Sequence, residues 1–158
     1  MIPSRKEVQD ARERVRSYVH NTPVITSRLI DELSGAEIYF KCENFQKMGA
    51  FKMRGAVNAI LQLDAEERKK GVVTHSSGNF AQALSLASKN LDVKAHIVMP
   101  SNATLVKKNA VEGYDGIITE SKPTLKDREE EANRIVNTTG GTFLHPSNNT
   151  NVILGQGT

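Results

Sequence analysis

Apolar side chains recur at helical spacing in the first twenty residues of this 158-residue chain. Spacings of three and four predict an amphipathic helix, and Ser4 followed by Glu7 is a capping box that would start it. The apolar positions of this helix are Val8, Ala11, Val15 and Val19. Two short runs of β character follow at residues 23–27 and 36–43. The second run alternates Ile38, Phe40 and Cys42.

A different pattern begins at residue 50. Residues 50–62 carry an apolar helical pattern, and residues 63–71 predict a short charged helix that Asp64 caps and Gly71 ends. From residue 72 onward, short apolar strands alternate with helices. The predicted strands are residues 72–75, 94–100, 116–119 and 142–145, and the last two helices are residues 103–113 and 123–141. This alternation predicts an α/β fold with a parallel twisted sheet and helices on both faces.

Composition narrows the class of protein without fixing its function. The formal net charge is +3, and no basic cluster is interleaved with aromatic residues, which argues against nucleic-acid binding. A single cysteine, Cys42, excludes an internal disulfide and a multi-cysteine zinc site. The N-terminus has no apolar signal-peptide core, and no apolar run is long enough to span a membrane. The expectation is a cytoplasmic protein.

The first strand-to-helix junction of the alternating part is residues 74–83, THSSGNFAQA. In parallel sheets, ligands gather where strands end and helices begin. A glycine there allows close approach to the backbone, and free N–H groups at a helix start favour an anion. The alternative is that Ser76 or Ser77 only caps the helix. The GxGxxG spacing of dinucleotide-binding proteins is absent.

Lys52 is the second feature with chemical potential. It follows Phe51 at the start of a predicted helix. A lysine becomes a nucleophile when apolar surroundings lower its pKa and make the neutral amine available. Phe51 could form a wall against a flat heterocycle, and residues 76–79 could bind carboxylate or phosphate. Lysine, aromatic plane and anion-binding helix start are the parts of a pyridoxal phosphate site.

Three motifs carry a resemblance to a known family. They are NFQKMGAFKMRGA at residues 44–56, SSGNFAQA at residues 76–83, and FLHPSNN followed by the terminal GQGT at residues 143–158. In this order, over essentially the whole chain, they resemble the serine racemase and threonine ammonia-lyase family of the second pyridoxal phosphate fold type. The related cysteine synthases differ, because their second motif is similar to TSGNTG.

The resemblance implies a role for each matched residue. Lys52 matches the Schiff-base lysine, Phe51 the residue that packs on the cofactor ring, and Asn79 the side chain that hydrogen-bonds the ring hydroxyl. Ser77 matches the serine opposite the lysine, which in racemases handles the proton on the second face of the substrate carbon. The substrate-carboxylate cradle matches Ser76, Ser77, Gly78 and Asn79, with the backbone of Phe80. Lys47 and Gln82 match positions where some members bind ATP as an effector.

The implied activity is racemisation of serine, or elimination of ammonia from serine or threonine, with pyridoxal 5'-phosphate as cofactor. A full-length form would act on a small amino acid as a homodimer, with Mg²⁺ and ATP as possible effectors. Three departures from the family pattern bear on substrate and effector binding. Phe80 replaces a common histidine, Met48 a common threonine or serine, and Ser147 an asparagine that racemases often carry. His75 and His145 stand alone, and we expect structural roles for them.

By the same resemblance, residues 1–64 form one edge of a larger α/β domain and residues 65–150 a smaller α/β domain. Residues 151–158 begin the segment that returns to the larger domain. Relatives continue beyond GQGT into a part that carries a glycine-rich phosphate cup, the residue facing the ring nitrogen and divalent-metal carboxylates. This chain is therefore expected to hold the lysine half of a site, with no metal ligand and with low activity.

Two other hypotheses remain open at this point. One is a catalytically dead paralogue that serves as a binding or regulatory protein, which the intact Lys52 and Ser77 disfavour. The other is an unrelated nucleotide-binding α/β domain, which the missing glycine fingerprint disfavours.

Overall fold

The protein, as a computed structural model that describes residues 2–158, is an α/β fold built around a parallel sheet. The helices are α1 (Arg5–Val15), α2 (Arg28–Ser34), α3 (Lys52–Leu61), α4 (Ala65–Lys70), α5 (Asn79–Asn90), α6 (Leu105–Gly113), α7 (Leu125–Thr139) and α8 (Thr150–Gln156). The strands are β1 (Val24–Ile25), β2 (Phe40–Lys41), β3 (Val72–His75), β4 (Ala95–Pro100), β5 (Ile117–Ser121) and β6 (Thr142–Phe143). Two 3₁₀ turns, Glu43–Phe45 and Lys47–Gly49, precede α3.

The main sheet has four parallel strands in the order β5-β4-β3-β6. Its central strands are in a register that pairs Thr74 with Ile97, and Val98 with Thr119. Every residue of β3 is buried, as expected for a parallel strand that helices cover on both faces. The predicted α/β fold is confirmed.

Alternate residues of the central strands face two separate apolar clusters. Val72 and Ile97 belong to the larger cluster, which also contains side chains from α3, α5 and α6. Val73 and Val98 point the other way and pack with Ala132 and Ile135 of α7. Because side chains alternate across a strand, the continuous apolar runs of the sequence supply both clusters at once. The serine-containing junction lies at the carboxyl end of β3, where α5 begins.

The N-terminal region packs on the sheet unit through α3. α3 is buried over most of its length, and Met53, Val57 and Ile60 belong to the larger apolar cluster. α8 packs along α3 and also contacts α1. Val15 of α1 and Val152 of α8 join the same cluster. Chain segments from both ends of the sequence thus meet around α3.

The predicted starts and ends of several helices are present. Ser4 and Glu7 form the capping box of α1, and Asp64 caps α4 before its end at Gly71. α7 begins two residues later than its predicted start, at Leu125, with Thr124 accepting a hydrogen bond from the Asp127 N–H. Thr124, rather than Pro123, therefore defines that helix start.

The region between α1 and α3 differs from its predicted form. The two predicted strands there shrink to two residues each in an antiparallel pair, with Val24 opposite Lys41. Ile38 lies outside the strand. The sequence pattern also contained no sign of α2, a seven-residue helix with no buried residue. Since short exposed elements carry no apolar periodicity, a pattern-based prediction has little to detect there.

Among residues 2–158, no helix combines the length and apolar character needed to cross a membrane. In the same range, no three His, Cys, Asp or Glu side chains cluster as metal ligands would.

Candidate active site

Lys52 is the first residue of α3, and two residues separate it from the turn Lys47–Gly49. Met48 in this turn has a φ of 53°, in the left-handed region that non-glycine residues rarely adopt. Phe51 precedes the helix without a side-chain cap. The next eight residues of α3 are buried, so the helix is fixed in position and carries Lys52 at its exposed end.

The Lys52 amine is held by two acceptors from distant parts of the chain. Nζ donates to the Pro146 carbonyl at 2.9 Å and to Gln156 Oε1 at 3.2 Å. These partners lie 94 and 104 residues away in sequence. The amine is therefore positioned by tertiary structure and not by its own helix.

Two aromatic rings border the same amine. Nζ lies 5.1 Å from the centroid of the Phe51 ring and 6.0 Å from that of Phe80. Partial burial lowers the pKa of the Lys52 amine, because desolvation penalises its charged form. The Phe51 side chain remains 40% exposed, which leaves ring surface open to a flat ligand. Phe80 is the second residue of α5 and directly follows the serine loop, residues 76–79. Because its ring lies near Nζ, Lys52 is close to this loop.

Gln156 reaches Lys52 because α3 and α8 cross at two glycines. A Cβ added to Gly155 would lie 2.8 Å from the Gly55 Cα and would overlap the Arg54 carbonyl. A Cβ added to Gly55 would lie 2.7 Å from the Val152 carbonyl oxygen and 2.9 Å from Gln156 Cγ. Real side chains do not tolerate such contacts, so both positions require glycine. The close crossing places the Gln156 amide beside the first turn of α3.

The Pro146 carbonyl sits in a turn that His145 holds. The backbone N–H groups of Ser147 and Asn148 donate to His145 Nδ1 at 3.1 and 2.8 Å. The preceding residue is tied to the sheet, since the buried Thr74 hydroxyl donates to the Leu144 carbonyl at 2.7 Å. The carbonyl that accepts from Lys52 is thus fixed as firmly as the Gln156 amide.

The serine loop is more open than the lysine side. Ser76, Ser77 and Gly78 are half-buried, and Asn79 is exposed. Gly78, and neither serine, is the N-cap of α5, and no side chain caps this helix. Ser76 Oγ instead accepts the Gly78 N–H at 3.3 Å. The alternative that Ser76 or Ser77 serves only as a helix cap is therefore wrong.

The helix start itself presents N–H groups beside the loop. In the first turn of α5, the backbone hydrogen bonds begin with the Ala81 N–H, which donates to the Gly78 carbonyl at 3.1 Å. The two preceding residues, Asn79 and Phe80, open the helix. An uncapped helix start with this polarity favours a carboxylate or phosphate group.

The remaining predicted residues lie at the margins of this site. Lys47 is half-buried in the turn before Lys52, and Gln82 is half-buried in the first turns of α5. His75 is buried at the end of β3, with its ring centroid 5.4 Å from that of Phe143. Burial, with the nearby His145 and Arg128, lowers the pKa of His75. The rings of His75 and His145 meet edge to face with centroids 5.6 Å apart, so the expectation that each stands alone is wrong. Their structural role stays a prediction.

Arg54 braces the segment that carries Lys52. It is buried and donates to Glu43 from Nε and Nη2, each at 2.8 Å, and from Nη2 to the His20 carbonyl at 3.2 Å. Burial would raise the pKa of Glu43, but the Arg54 guanidinium and the Thr22 hydroxyl more than offset this and lower it. The arginine of the FKMRGA motif is thus a structural anchor two residues after the lysine.

Pattern reasoning missed the two acceptors of Lys52. HPSNN and GQGT are both among the motifs that carry the family resemblance, but the resemblance implied no role for Pro146 or Gln156. A glutamine between two glycines, Gly155 and Gly157, was the available signal, since glycines permit close helix crossing.

This chain is similar in sequence and in structure to proteins of known function. The family model described as pyridoxal-phosphate dependent enzyme matches residues 15–158. A serine racemase from Dictyostelium discoideum is 52% identical over 153 residues, covering 97% of this chain and 47% of that protein. A crystal structure of serine racemase from the same organism superposes with a TM-score of 0.91, covering 95% of this chain and 49% of that one.

Relatives with lyase names are similar over the same region. A beta-hydroxyaspartate dehydratase from Paracoccus denitrificans is 46% identical over 157 residues, 99% of this chain and 50% of that protein. A threonine deaminase from T.th. is 38% identical, and its crystal structure superposes with a TM-score of 0.87 over 97% of this chain and 48% of that one. The chain thus spans about half the length of the relatives it matches.

Proposed function

This chain belongs to the family of pyridoxal-phosphate dependent enzymes, and we propose that it carries the lysine half of an amino-acid racemase or ammonia-lyase site. The substrate would be serine or threonine. Family membership removes the hypothesis of an unrelated nucleotide-binding domain. The names of the relatives support both reaction types, because they include serine racemase, a dehydratase and a threonine deaminase.

The observation that carries this proposal is the environment of Lys52. Its amine is partly buried, has a lowered pKa, and is held by the Pro146 carbonyl and Gln156 Oε1. An ordinary surface lysine has none of these features. They suit a nitrogen that must be neutral and oriented in order to attack a carbonyl carbon.

The surrounding residues fit pyridoxal phosphate in chemistry and in position. Phe51 offers exposed ring surface for the flat cofactor ring. Asn79, exposed at the start of α5, would donate to the ring hydroxyl. Gln156 Nε2 is buried without a hydrogen-bond partner within residues 2–158, so the site holds a polar donor that still needs an acceptor. When bound, the cofactor would withdraw electrons from the substrate α-carbon and make its proton removable.

The chain's own residues would then divide the remaining work. Lys52 would hold or move the α-carbon proton on one face of the substrate. Ser77 would do so on the opposite face. Ser76 and the N–H groups from Gly78 to Phe80 would bind the substrate carboxylate. Return of the proton to the opposite face is racemisation, and loss of the β-hydroxyl is elimination.

Several further features belong to the proposal. The division into residues 1–64, 65–150 and 151–158 fits the packing of α8 on α3 and α1. Lys47 and Gln82 would contribute to an effector site for ATP, with Mg²⁺ as a second effector in a longer form. A longer form would be a homodimer, and its location would be cytoplasmic.

Absorption spectroscopy tests the proposal directly. Added pyridoxal phosphate should give the purified chain a visible band distinct from that of the free cofactor. Lys52→Ala should abolish this band, and Lys107→Ala, which alters an exposed lysine on α6, should leave it intact. Persistence of the band in Lys52→Ala would refute the proposed role. No band in the unaltered chain would favour a catalytically dead binding protein.

Turnover then separates the two reactions. With D-serine, L-serine and L-threonine, we expect the 158-residue chain to stay far below the roughly 10 per second of an ordinary enzyme. Wherever turnover is measurable, Ser77→Ala should suppress racemisation more than elimination, because only racemisation needs a proton on the second face. Equal loss of both would show that Ser77 only orients the substrate.

A further inference from the structure

We propose that Gln156 is a positioning residue for the Lys52 amine. Together with the Pro146 carbonyl, it would occupy both N–H bonds of the neutral amine and leave the lone pair free for an electrophile. The purpose of this arrangement rests on the proposed function, whereas the arrangement itself depends only on contacts within the chain.

The number of acceptors matches the number of donors on a neutral amine. A neutral lysine nitrogen has two N–H bonds and one lone pair, while the charged form has three N–H bonds and no lone pair. Lys52 Nζ meets two acceptors, Pro146 O at 2.9 Å and Gln156 Oε1 at 3.2 Å. When both are engaged, rotation about the terminal C–N bond is fixed. The third tetrahedral direction then belongs to the lone pair.

Both acceptors are held in place. The Pro146 carbonyl lies within the turn whose N–H groups bind His145 Nδ1. The Gln156 side chain lies against Gly55, with its Cγ and Nε2 at 2.9 and 3.1 Å from the position that a Cβ there would take. Gln156 therefore cannot move closer to α3, and its Oε1 atom is held at a fixed position relative to Lys52 Nζ.

The orientation of the amide follows from the lysine. If the amide were reversed, Nε2 would face Nζ and two donors would oppose each other. With Oε1 on Lys52, Nε2 remains buried and unpaired within residues 2–158. An unpaired buried donor costs about 1–3 kcal/mol. The bond from Lys52 thus fixes which way the amide faces, and Nε2 is the donor for which the proposed function supplies an acceptor.

Docking of α8 onto α3 has contacts besides those of Gln156. Asn58 Nδ2 of α3 donates to the Asn151 carbonyl of α8 at 2.7 Å. The glycine crossing at Gly55 and Gly155 adds close backbone contact. The bond from Lys52 to Gln156 is therefore available for a role at the amine.

Two near-isosteric substitutions test this role without cofactor. The readout is the rate at which formaldehyde and a borane methylate Lys52, followed by peptide mass spectrometry from pH 7 to 11. Gln156→Glu places a carboxylate beside the amine, and an opposite charge at this range raises a lysine pKa by about 1–3 units. Labelling near pH 8 should therefore be about tenfold slower or more. Gln156→Leu removes an acceptor that favours the charged amine, so the pKa of Lys52 should fall and labelling near pH 8 should be about threefold faster. At pH 11, where the amine is largely neutral in both proteins, loss of the oriented lone pair should make labelling of this variant slower than that of the unaltered chain.

The matched control is Gln62→Glu, at the other end of α3. Ten residues of helix separate it from Lys52 by about 15 Å, so labelling of Lys52 should stay within about twofold. Gln156→Met replaces the leucine variant if circular dichroism shows that the latter is unfolded. If Gln156 were merely structural, the rate of Lys52 labelling would change in the same direction in both variants or in neither. Either result overturns the inference.

The outcome is separable from that of the proposed function. No cofactor is present, so opposite shifts together with a failure to bind pyridoxal phosphate would defeat the function and leave the positioning intact. Normal cofactor capture without opposite shifts would defeat only the positioning.

Discussion

The two sides of the candidate site are built in different ways. The lysine side joins α3, the Pro146 turn and α8 through contacts that span about a hundred residues of sequence. The serine loop is half-buried or exposed. The Ser76 N–H ties its first residue to the Val98 carbonyl of β4 at 3.0 Å, and within the loop there is one weak hydrogen bond, from the Gly78 N–H to Ser76 Oγ. A nucleophile needs fixed geometry, whereas a loop that receives a ligand needs unpaired donors. We therefore expect substitutions on the lysine side to change stability, and those on the serine side to change binding.

The largest expected effect is at the crossing of α3 and α8. Gly155→Ala would force a Cβ to within 2.6 Å of Asn58 Cβ and against the Arg54 carbonyl. We expect a loss of about 3 kcal/mol in the free energy of unfolding, measured by urea titration. The matched control is Gly157→Ala in the same motif, where the nearest atom, Val8 Cγ1, would lie 3.4 Å away. Equal stability of the two variants would show that the crossing is not tight.

Thr74→Val should have an intermediate effect. It keeps the shape of a fully buried side chain and removes the hydrogen bond to the Leu144 carbonyl. Such a loss costs about 1 kcal/mol, and more if the carbonyl stays unsatisfied. The comparison is Thr142→Val, a half-buried strand residue whose backbone N–H donates to the Gly71 carbonyl. If Thr74→Val unfolded at no lower urea concentration than Thr142→Val, the hydrogen bond from Thr74 would not anchor the Pro146 turn.

On the serine side, Ser76→Ala should barely change stability. It removes a 3.3 Å bond to the Gly78 N–H at a half-buried position. We expect a change within about 0.5 kcal/mol in urea, together with weaker capture of amino-acid substrate. A loss near that of Gly155→Ala would erase the contrast between the two sides.

The pH dependence of cofactor capture should show the smallest effect. Burial lowers the pKa of Lys52, so its neutral fraction at a given pH exceeds that of a free lysine side chain. The capture rate should reach half its maximum at a lower pH than that of Nα-acetyl-lysine. By linkage, the unfolded chain binds more protons between the lowered pKa and the ordinary value, so stability rises with pH across that window. A midpoint at or above that of the free amino-acid derivative would contradict the burial of the amine.

The sequence predicted the sheet unit well and the lysine side poorly. Apolar runs such as residues 72–75 report burial directly, and the capping residues Ser4 and Asp64 act locally. Lys52 and the serine loop were visible because their motifs are local. The contact of Gln156 with Lys52 was not visible, because it depends on how two helices cross. The strands predicted at residues 23–27 and 36–43 were longer than the observed β1 and β2, and the exposed α2 had no apolar periodicity to detect.

The proposed function depends on a covalent bond between Lys52 and pyridoxal phosphate. Borohydride reduction of the purified chain in the presence of the cofactor, followed by peptide mapping, tests it most directly. We expect the reduced pyridoxyl group on Lys52, and its loss in Lys52→Arg. Labelling spread evenly over exposed lysines such as Lys6, Lys69 and Lys126 would contradict the claim.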